Sequence, residues 1–213
     1  MSIKRTPVTA ELETFFAPFW DRRDDVLREQ WEYIERHEYP IQISTEEANF
    51  IAFLCRLIGA KRVLEIGTFY GTSAIWIARA LPEDGKLETC EIDPARAQQA
   101  QVWFEKAKVA DKVTVHIGDA LKIMETLSGP YDLIFLDGPK NNCIAQLKQA
   151  KRLVRVNGLI LLDNAFADGN IHRISDSNDD DRPAYLRAIA TDPDLDSVVL
   201  AVADGLAISR RTR

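Results

Sequence analysis

The sequence predicts an α/β chain built on a seven-stranded, mostly parallel sheet with an antiparallel last strand and helices on both faces. Three observations carry this. From Arg62 onward, short apolar runs alternate with segments of helical period, as parallel strands joined by helical crossovers do. Several runs, "YDLIFL" and "GLILL" among them, are apolar throughout rather than alternating, which is the pattern of strands buried on both faces. The last two runs, "DSVVLAV" and "LAISR", are separated only by "ADG". That link is too short for a parallel crossover and reads as a hairpin.

Residues 1–60 read as a helical cap packed on a domain formed by residues 61–213, within one structural domain overall. "TAELETFFAPFW" and "DDVLREQWEYIERHE" carry apolar residues at helical spacing, with Leu27, Trp31 and Ile34 on one stripe. "ISTEEANFIAFLCRLIGA" places Ser44 three residues before Glu47, a capping-box pattern, and Gly59 is its stop. The strand-helix series then runs "RVLEI", "TSAIWIARAL", "KLETCEI", "PARAQQAQVWFEKAKV", "KVTVHI", "ALKIMETL", "YDLIFL", "CIAQLKQAKRLV" and "GLILL". A helix near "PAYLRAIA" precedes the final hairpin. "SDSNDDDRP", Ser175 to Pro183, reads as a mobile surface loop, since it lacks the central glycine of a calcium loop.

Composition narrows the partners. With 46% hydrophobic and 28% charged residues over 213 positions, one full core can be buried, and a net charge of −6 gives no broad footprint for nucleic acid or an anionic membrane. Cys55, Cys90 and Cys143 are odd in number and lack paired metal spacing, so they read as reduced thiols. The N-terminus has no signal-peptide core, and no window reaches the length of a membrane span. A cytoplasmic protein with a small-molecule partner is expected.

In open α/β sheets ligands bind beyond the carboxyl ends of the strands. "VLEIGTFYGTS" follows the first strand, and Gly67 and Gly71 let the backbone turn and approach a ligand. The pattern is G-x-x-x-G, not the G-x-G-x-x-G of a pyrophosphate cradle, so a dinucleotide is disfavoured. Glu65 beside it suits a ligand with positive charge and no phosphate, such as S-adenosylmethionine. Glu91 ends the second strand, where a carboxylate accepts from both hydroxyls of a ribose. Gly118, Asp119 and Ala120 follow the third and would flank an adenine ring, although Asp119 is equally well placed as an N-cap. One nucleoside would touch all three strand ends.

"IQIS", "VLEIGTFYGTSA", "EIDPARA", "GDAL", "YDLIFLDGPK", "GLILLDN" and "DGLAISRR" occur in this order. Together they resemble the class I S-adenosylmethionine-dependent methyltransferases with a Rossmann-like fold, and more narrowly the cation-dependent catechol and caffeoyl-CoA O-methyltransferases. The resemblance implies a cofactor wall of Ile41, Glu65, Gly67, Thr68, Phe69, Gly71, Ser73, Glu91, Ile92, Gly118, Asp119, Ala120 and Asp137. It implies Mg²⁺ or another divalent cation on Asp137, Asp163 and Asn164, and catalysis by Lys140 and Asp137. Two carboxylates and an amide oxygen are a hard donor set of the kind Mg²⁺ takes. The read alternative is that Asp137 caps the next helix while Asp163-Asn164 is a turn.

The sequence departs from the family at Gly138-Pro139, and after "LLDN" it offers only Phe166 and Ile171 as apolar residues. A large phenylpropanoid-CoA acceptor is therefore not expected. His37 and His116 read as structural, and His172 as a possible substrate contact. Trp20, Trp31 and Tyr33 read as core or interface, and by analogy with the family a homodimer is expected. The expected activity is transfer of a methyl group to a small vicinal diol on an aromatic ring. Two rivals stand: methylation of a hydroxylated uridine in tRNA, using Arg22, Arg23, Lys140, Arg173, Arg182 and Arg187 as a basic rim, and a non-catalytic nucleoside-binding module.

Overall fold

The computed structural model describes residues 8–175 and 179–213. The expectations for residues 1–7, and for 176–178 within the polar stretch, lie outside the described residues.

Three helices come first. Helix α1 (Ala10–Trp20) is capped by Thr9, and α2 (Asp25–His37) by Asp24, whose side chain accepts from the Leu27 N–H. Leu27 and Ile34 of α2 are buried, while Trp31 is half-buried with the Arg23 guanidinium 4.7 Å above its ring. In α3 (Thr45–Leu57) the Ser44 hydroxyl accepts from the Glu47 N–H at 3.2 Å. Only that half of the capping box forms. The Glu47 side chain turns inward, 2% exposed, and faces Asp163.

The sheet contains β1 (Arg62–Ile66), β2 (Lys86–Glu91), β3 (Val113–Ile117), β4 (Tyr131–Leu136), β5 (Val154–Leu162), β6 (Leu195–Leu200) and β7 (Leu206–Arg211). Their order is β3-β2-β1-β4-β5-β7-β6, with β7 antiparallel to both its neighbours and the other pairings parallel. The crossovers are α4 (Thr72–Ala80), α5 (Pro94–Lys106), α6 (Ala120–Thr126) and α7 (Cys143–Leu153), and α8 (Arg182–Thr191) precedes β6. Successive strand residues point to opposite faces, so the uniformly apolar strands feed two cores. Val63, Leu133, Phe135 and Leu161 pack with α2 to α5 on one face. Leu64, Ile134, Leu136 and Ile160 pack with α6 to α8 on the other.

Strand β5 begins at Val154, four residues before the apolar run "GLILL" that announces it. The step from Tyr131 to Leu133 in β4 faces the longer step from Val154 to Leu159 in β5, and Asn157 in the left-handed region (φ 62°) absorbs the excess. The start of the strand was hidden because this bulge interrupts its apolar pattern.

The glycine loop after β1 is required by packing inside the protein. Gly67 has φ +102°, and a Cβ there would lie 2.4 Å from the Asp137 carbonyl oxygen. Gly71 has φ +86°, and a Cβ would meet the Phe104 ring at 2.4 Å. These glycines thus permit close approach to the tip of β4 and to α5, in addition to any ligand in the cavity that Gly67 lines.

Candidate functional site

The carboxyl tips of β1, β2, β3 and β4 surround a cavity of about 410 Å³. Its wall includes Ile41, Gly67, Phe69, Glu91, Ile92, Gly118, Asp119, Ala120 and Asp137 from the expected cofactor set, together with Lys140 and Asn164. Residues from widely separated segments meet there because a parallel sheet brings every strand-to-helix loop to the same edge.

At one end, Glu91 is 6% exposed. Its Oε2 accepts from the Phe69 N–H at 2.7 Å and its Oε1 from the Asp93 N–H at 3.0 Å, so the carboxylate is held still with lone pairs to spare. Asp119 lines the cavity and also caps α6, accepting from the Lys122 N–H at 3.1 Å. The two readings of this residue are compatible.

Beneath the glycine loop lies Glu65, fully buried. The Thr89 hydroxyl donates to its Oε2 at 2.7 Å, and Thr89 in turn bonds Thr68 at 2.6 Å. Oε1 has no hydrogen-bond partner. Burial pushes the Glu65 carboxyl up to about 7, with the Ser73 and Thr89 hydroxyls opposing the rise. A buried carboxyl oxygen left without a donor costs free energy unless a cationic or donor group meets it. That orphaned oxygen fits the amino group of an S-adenosylmethionine-like ligand.

At the other end, Asp137 and Asp163 leave β4 and β5 side by side. Asp163 is 5% exposed, and its Oδ1 accepts from the Asn164 N–H at 2.5 Å. Burial, then the Asp163 charge, holds the Asp137 carboxyl well above the usual range, and Lys140 opposes this. Lys140 Nζ lies 3.4 Å from Asp137 Oδ1. Asn164 adopts φ 55° and lines the cavity. Two crowded carboxyls with an amide oxygen beside them suit a hard divalent cation. Among the described residues no three histidine, cysteine, aspartate or glutamate side chains converge to hold a metal ion. A cation beside these two carboxyls would have to draw a third protein donor from another residue type, and the Asn164 side chain is adjacent.

Glu65, Thr68, Gly71, Ser73 and Asp163 do not line the cavity wall; all but Gly71 are buried polar side chains under it. Asp137 does not cap α7. Asp181 does, accepting from the Cys143 N–H at 2.7 Å and the Ile144 N–H at 3.1 Å. His37 bonds the Tyr33 carbonyl and His116 bonds Glu88, both structural as expected. His172 is exposed and off the cavity wall.

Three contributors were missed. Glu47 is 2% exposed; burial, then the facing Asp163 charge, pushes its carboxyl up to about 10. In the sequence its position is fully accounted for by the capping-box pattern. Arg96 and Gln146 line the cavity, each one turn into a helix after a site loop. At the end of the polar stretch, the side chains of Asp180 and Arg182 are largely covered and paired with each other.

This strand order, with carboxylates at the tips of β1 to β3, is that of a Rossmann-like methyltransferase fold. The chain belongs to the O-methyltransferase family, whose profile matches residues 22–212. It is 40% identical to a catechol O-methyltransferase of Mycobacterium tuberculosis over 150 residues, covering 70% of this chain and 67% of that protein. It is 34% identical to caffeoyl-CoA O-methyltransferase 1 of Eucalyptus globulus, covering 94% and 86%. The crystal structure of the O-methyltransferase TomG from Streptomyces achromogenes, in complex with SAM, superposes with a TM-score of 0.87 at 28% identity, covering 95% and 96%.

Proposed function

We propose that this chain is a cation-dependent enzyme that moves a methyl group from S-adenosylmethionine to one hydroxyl of a small catechol-like diol. The observation that carries the reading is the pairing of Asp137 with Asp163, buried beside Lys140 and Asn164 at one end of a cavity whose other end is the fixed carboxylate of Glu91. S-adenosylmethionine supplies a methyl group on a cationic sulfur, and a divalent cation supplies charge that acidifies a chelating hydroxyl.

The chain's own residues do the rest. Glu91 accepts from the ribose hydroxyls, Asp119 from the adenine amine, and the free oxygen of Glu65 from the amino group. Asp137, Asp163 and Asn164 hold the cation. Lys140 takes or electrostatically offsets the proton of the reacting hydroxyl. Alignment of the hydroxyl oxygen with the methyl carbon supplies much of the acceleration, because the bimolecular encounter is made in advance.

A small acceptor is favoured because neither Phe166 nor Ile171 lines the cavity, and Phe166 packs against Gly205. Of the basic rim suggested for tRNA, Arg23, Lys140 and Arg182 are paired with Asp21, Asp137 and Asp180, which weighs against that substrate. The helices before residue 61 serve as a cap over the domain of residues 61–213. The exposed Phe15 and Phe19 of α1 and Phe53 and Leu57 of α3 support a homodimer. Three buried, unpaired cysteines suit the cytoplasm, and among the described residues no helix is long and apolar enough to cross a membrane.

The test is a panel of catechols and hydroxylated tRNA incubated with S-adenosylmethionine, with and without EDTA, followed by mass spectrometry. Methylated catechol that disappears with EDTA is expected. Transfer to tRNA alone, or cofactor binding without any transfer, would replace this reading by one of its rivals.

A further inference from the structure

Residues 180–182 touch both halves of the catalytic end, although they lie in neither site loop. The Arg182 Nη1 donates to the Asn164 carbonyl at 2.7 Å. The same guanidinium is gripped by Asp180, with Nη2 to Oδ2 at 2.6 Å and Nε to Oδ1 at 3.0 Å. The Asp181 N–H donates to the Lys140 carbonyl at 2.9 Å, and the Asp181 carboxylate caps the first turn of α7, directly after the lysine loop. The side chains of Arg182 and Asp180 are 12% and 17% exposed.

The need for such a brace follows from the local backbone. Asn164 sits in the left-handed region, which costs a residue with a Cβ free energy and persists only where surroundings over-determine it. Its carbonyl accepts from Arg182 and from the Ala167 N–H at 3.1 Å, and its N–H is taken by Asp163. Arginine is well suited to this position, because its planar fork satisfies Asp180 with one edge while a further N–H reaches the carbonyl. Lysine could not do both with fixed geometry.

We propose that Arg182, fixed by Asp180, is a positioning residue that holds the Asn164 backbone so that its amide oxygen faces the cation position, and that Asp181 ties the Lys140 loop to the same brace. Residues 180–182 thereby set the distance between the lysine after β4 and the asparagine after β5. This rests on the reading of Asn164 as a cation ligand.

The experiment measures Mn²⁺ binding by electron paramagnetic resonance and S-adenosylmethionine binding by calorimetry on the full chain, for the wild type, Asn164→Ala, Arg182→Met, Arg182→Lys and Asp180→Asn. Partners that orient metal ligands are worth about 10–100-fold in affinity. Arg182→Met is expected to weaken Mn²⁺ binding about tenfold with the nucleoside affinity unchanged. Arg182→Lys should restore little of it. Should Arg182→Met fail to fold, Asp180→Asn decides, since it keeps the guanidinium and loosens it. If Asn164→Ala loses Mn²⁺ while Asp180→Asn and Arg182→Met bind it as the wild type does, the brace is refuted and the metal reading survives. A wild type that does not bind Mn²⁺ removes both.

Discussion

The buried carboxyl of Glu47 in α3 faces Asp163 at the tip of β5, close enough that the Asp163 charge helps push it up. With its carboxyl pushed up to about 10, Glu47 can carry a proton at neutral pH and donate it to Asp163, which would orient this candidate cation ligand. Glu47→Ala should weaken Mn²⁺ binding about tenfold, as loss of an outer partner does, while Glu47→Gln, which still donates, should lose much less. Equal losses in a titration followed by electron paramagnetic resonance would count against an orienting role.

Asp163→Ala removes a donor from the cation end and nothing from the nucleoside end, which lies at the other side of the cavity. Cation-stimulated turnover should fall to background in the mass-spectrometric assay. The S-adenosylmethionine affinity, measured by calorimetry, should stay within about twofold, because distant sites act independently.

Glu91→Ala is the complementary variant. A charged acceptor of two hydrogen bonds is lost, each worth about 1.5–3 kcal/mol, so the cofactor Kd should rise by at least about tenfold. The Phe69 and Asp93 N–H groups also lose their acceptor, and a modest drop in Tm should accompany the loss. An equal fall in Mn²⁺ affinity would break the proposed division of labour.

Cofactor affinity should depend on pH through Glu65. With its carboxyl at about 7 in the free protein, the proton must leave before a cationic amino group can pair with it. Each pH unit below 7 then costs about 1.4 kcal/mol, or tenfold in Kd, and the dependence levels off above 7. The sign for stability is opposite. A raised folded value means the native state binds more protons than the unfolded chain, so this group's contribution to stability falls as pH rises from about 4.5 to 7. Calorimetry between about pH 5.5 and 7 should show the slope in the wild type and lose it in Glu65→Gln.

If the chain pairs as proposed, Phe15→Ser with Phe19→Ser should lower the mass seen by light scattering from two chains to one. The variant should keep its Tm within about 1–2 °C, because exposed side chains contribute little to the folded monomer. A wild type that runs as a single chain would end the proposal.

Much of the candidate site is legible in the sequence because it is local. Asp137 and Lys140 are three residues apart, Asp163 and Asn164 are adjacent, and each pair follows an apolar strand whose end fixes its position. The alternation of strand and helix likewise gave all seven strands, missing only the early start of β5, where a bulge breaks the pattern. Gly67 and Gly71 are marked as special by the sequence, but their close contacts with Asp137 and Phe104 come from distant parts of the chain and are not legible in it.

What the sequence determined by itself is the layered sheet, the edge at which ligands meet, and the residue types delivered there, because hydrophobic period and turn chemistry are properties of neighbouring residues. Tertiary structure alone decided that Glu47 faces Asp163, that Arg182 serves the Asn164 carbonyl, and that Asp181 rather than Asp137 caps α7. Each of these joins segments far apart along the chain. A polar side chain's partner is chosen by which buried donor or acceptor would otherwise go unpaired, and that choice exists only once the layers have packed.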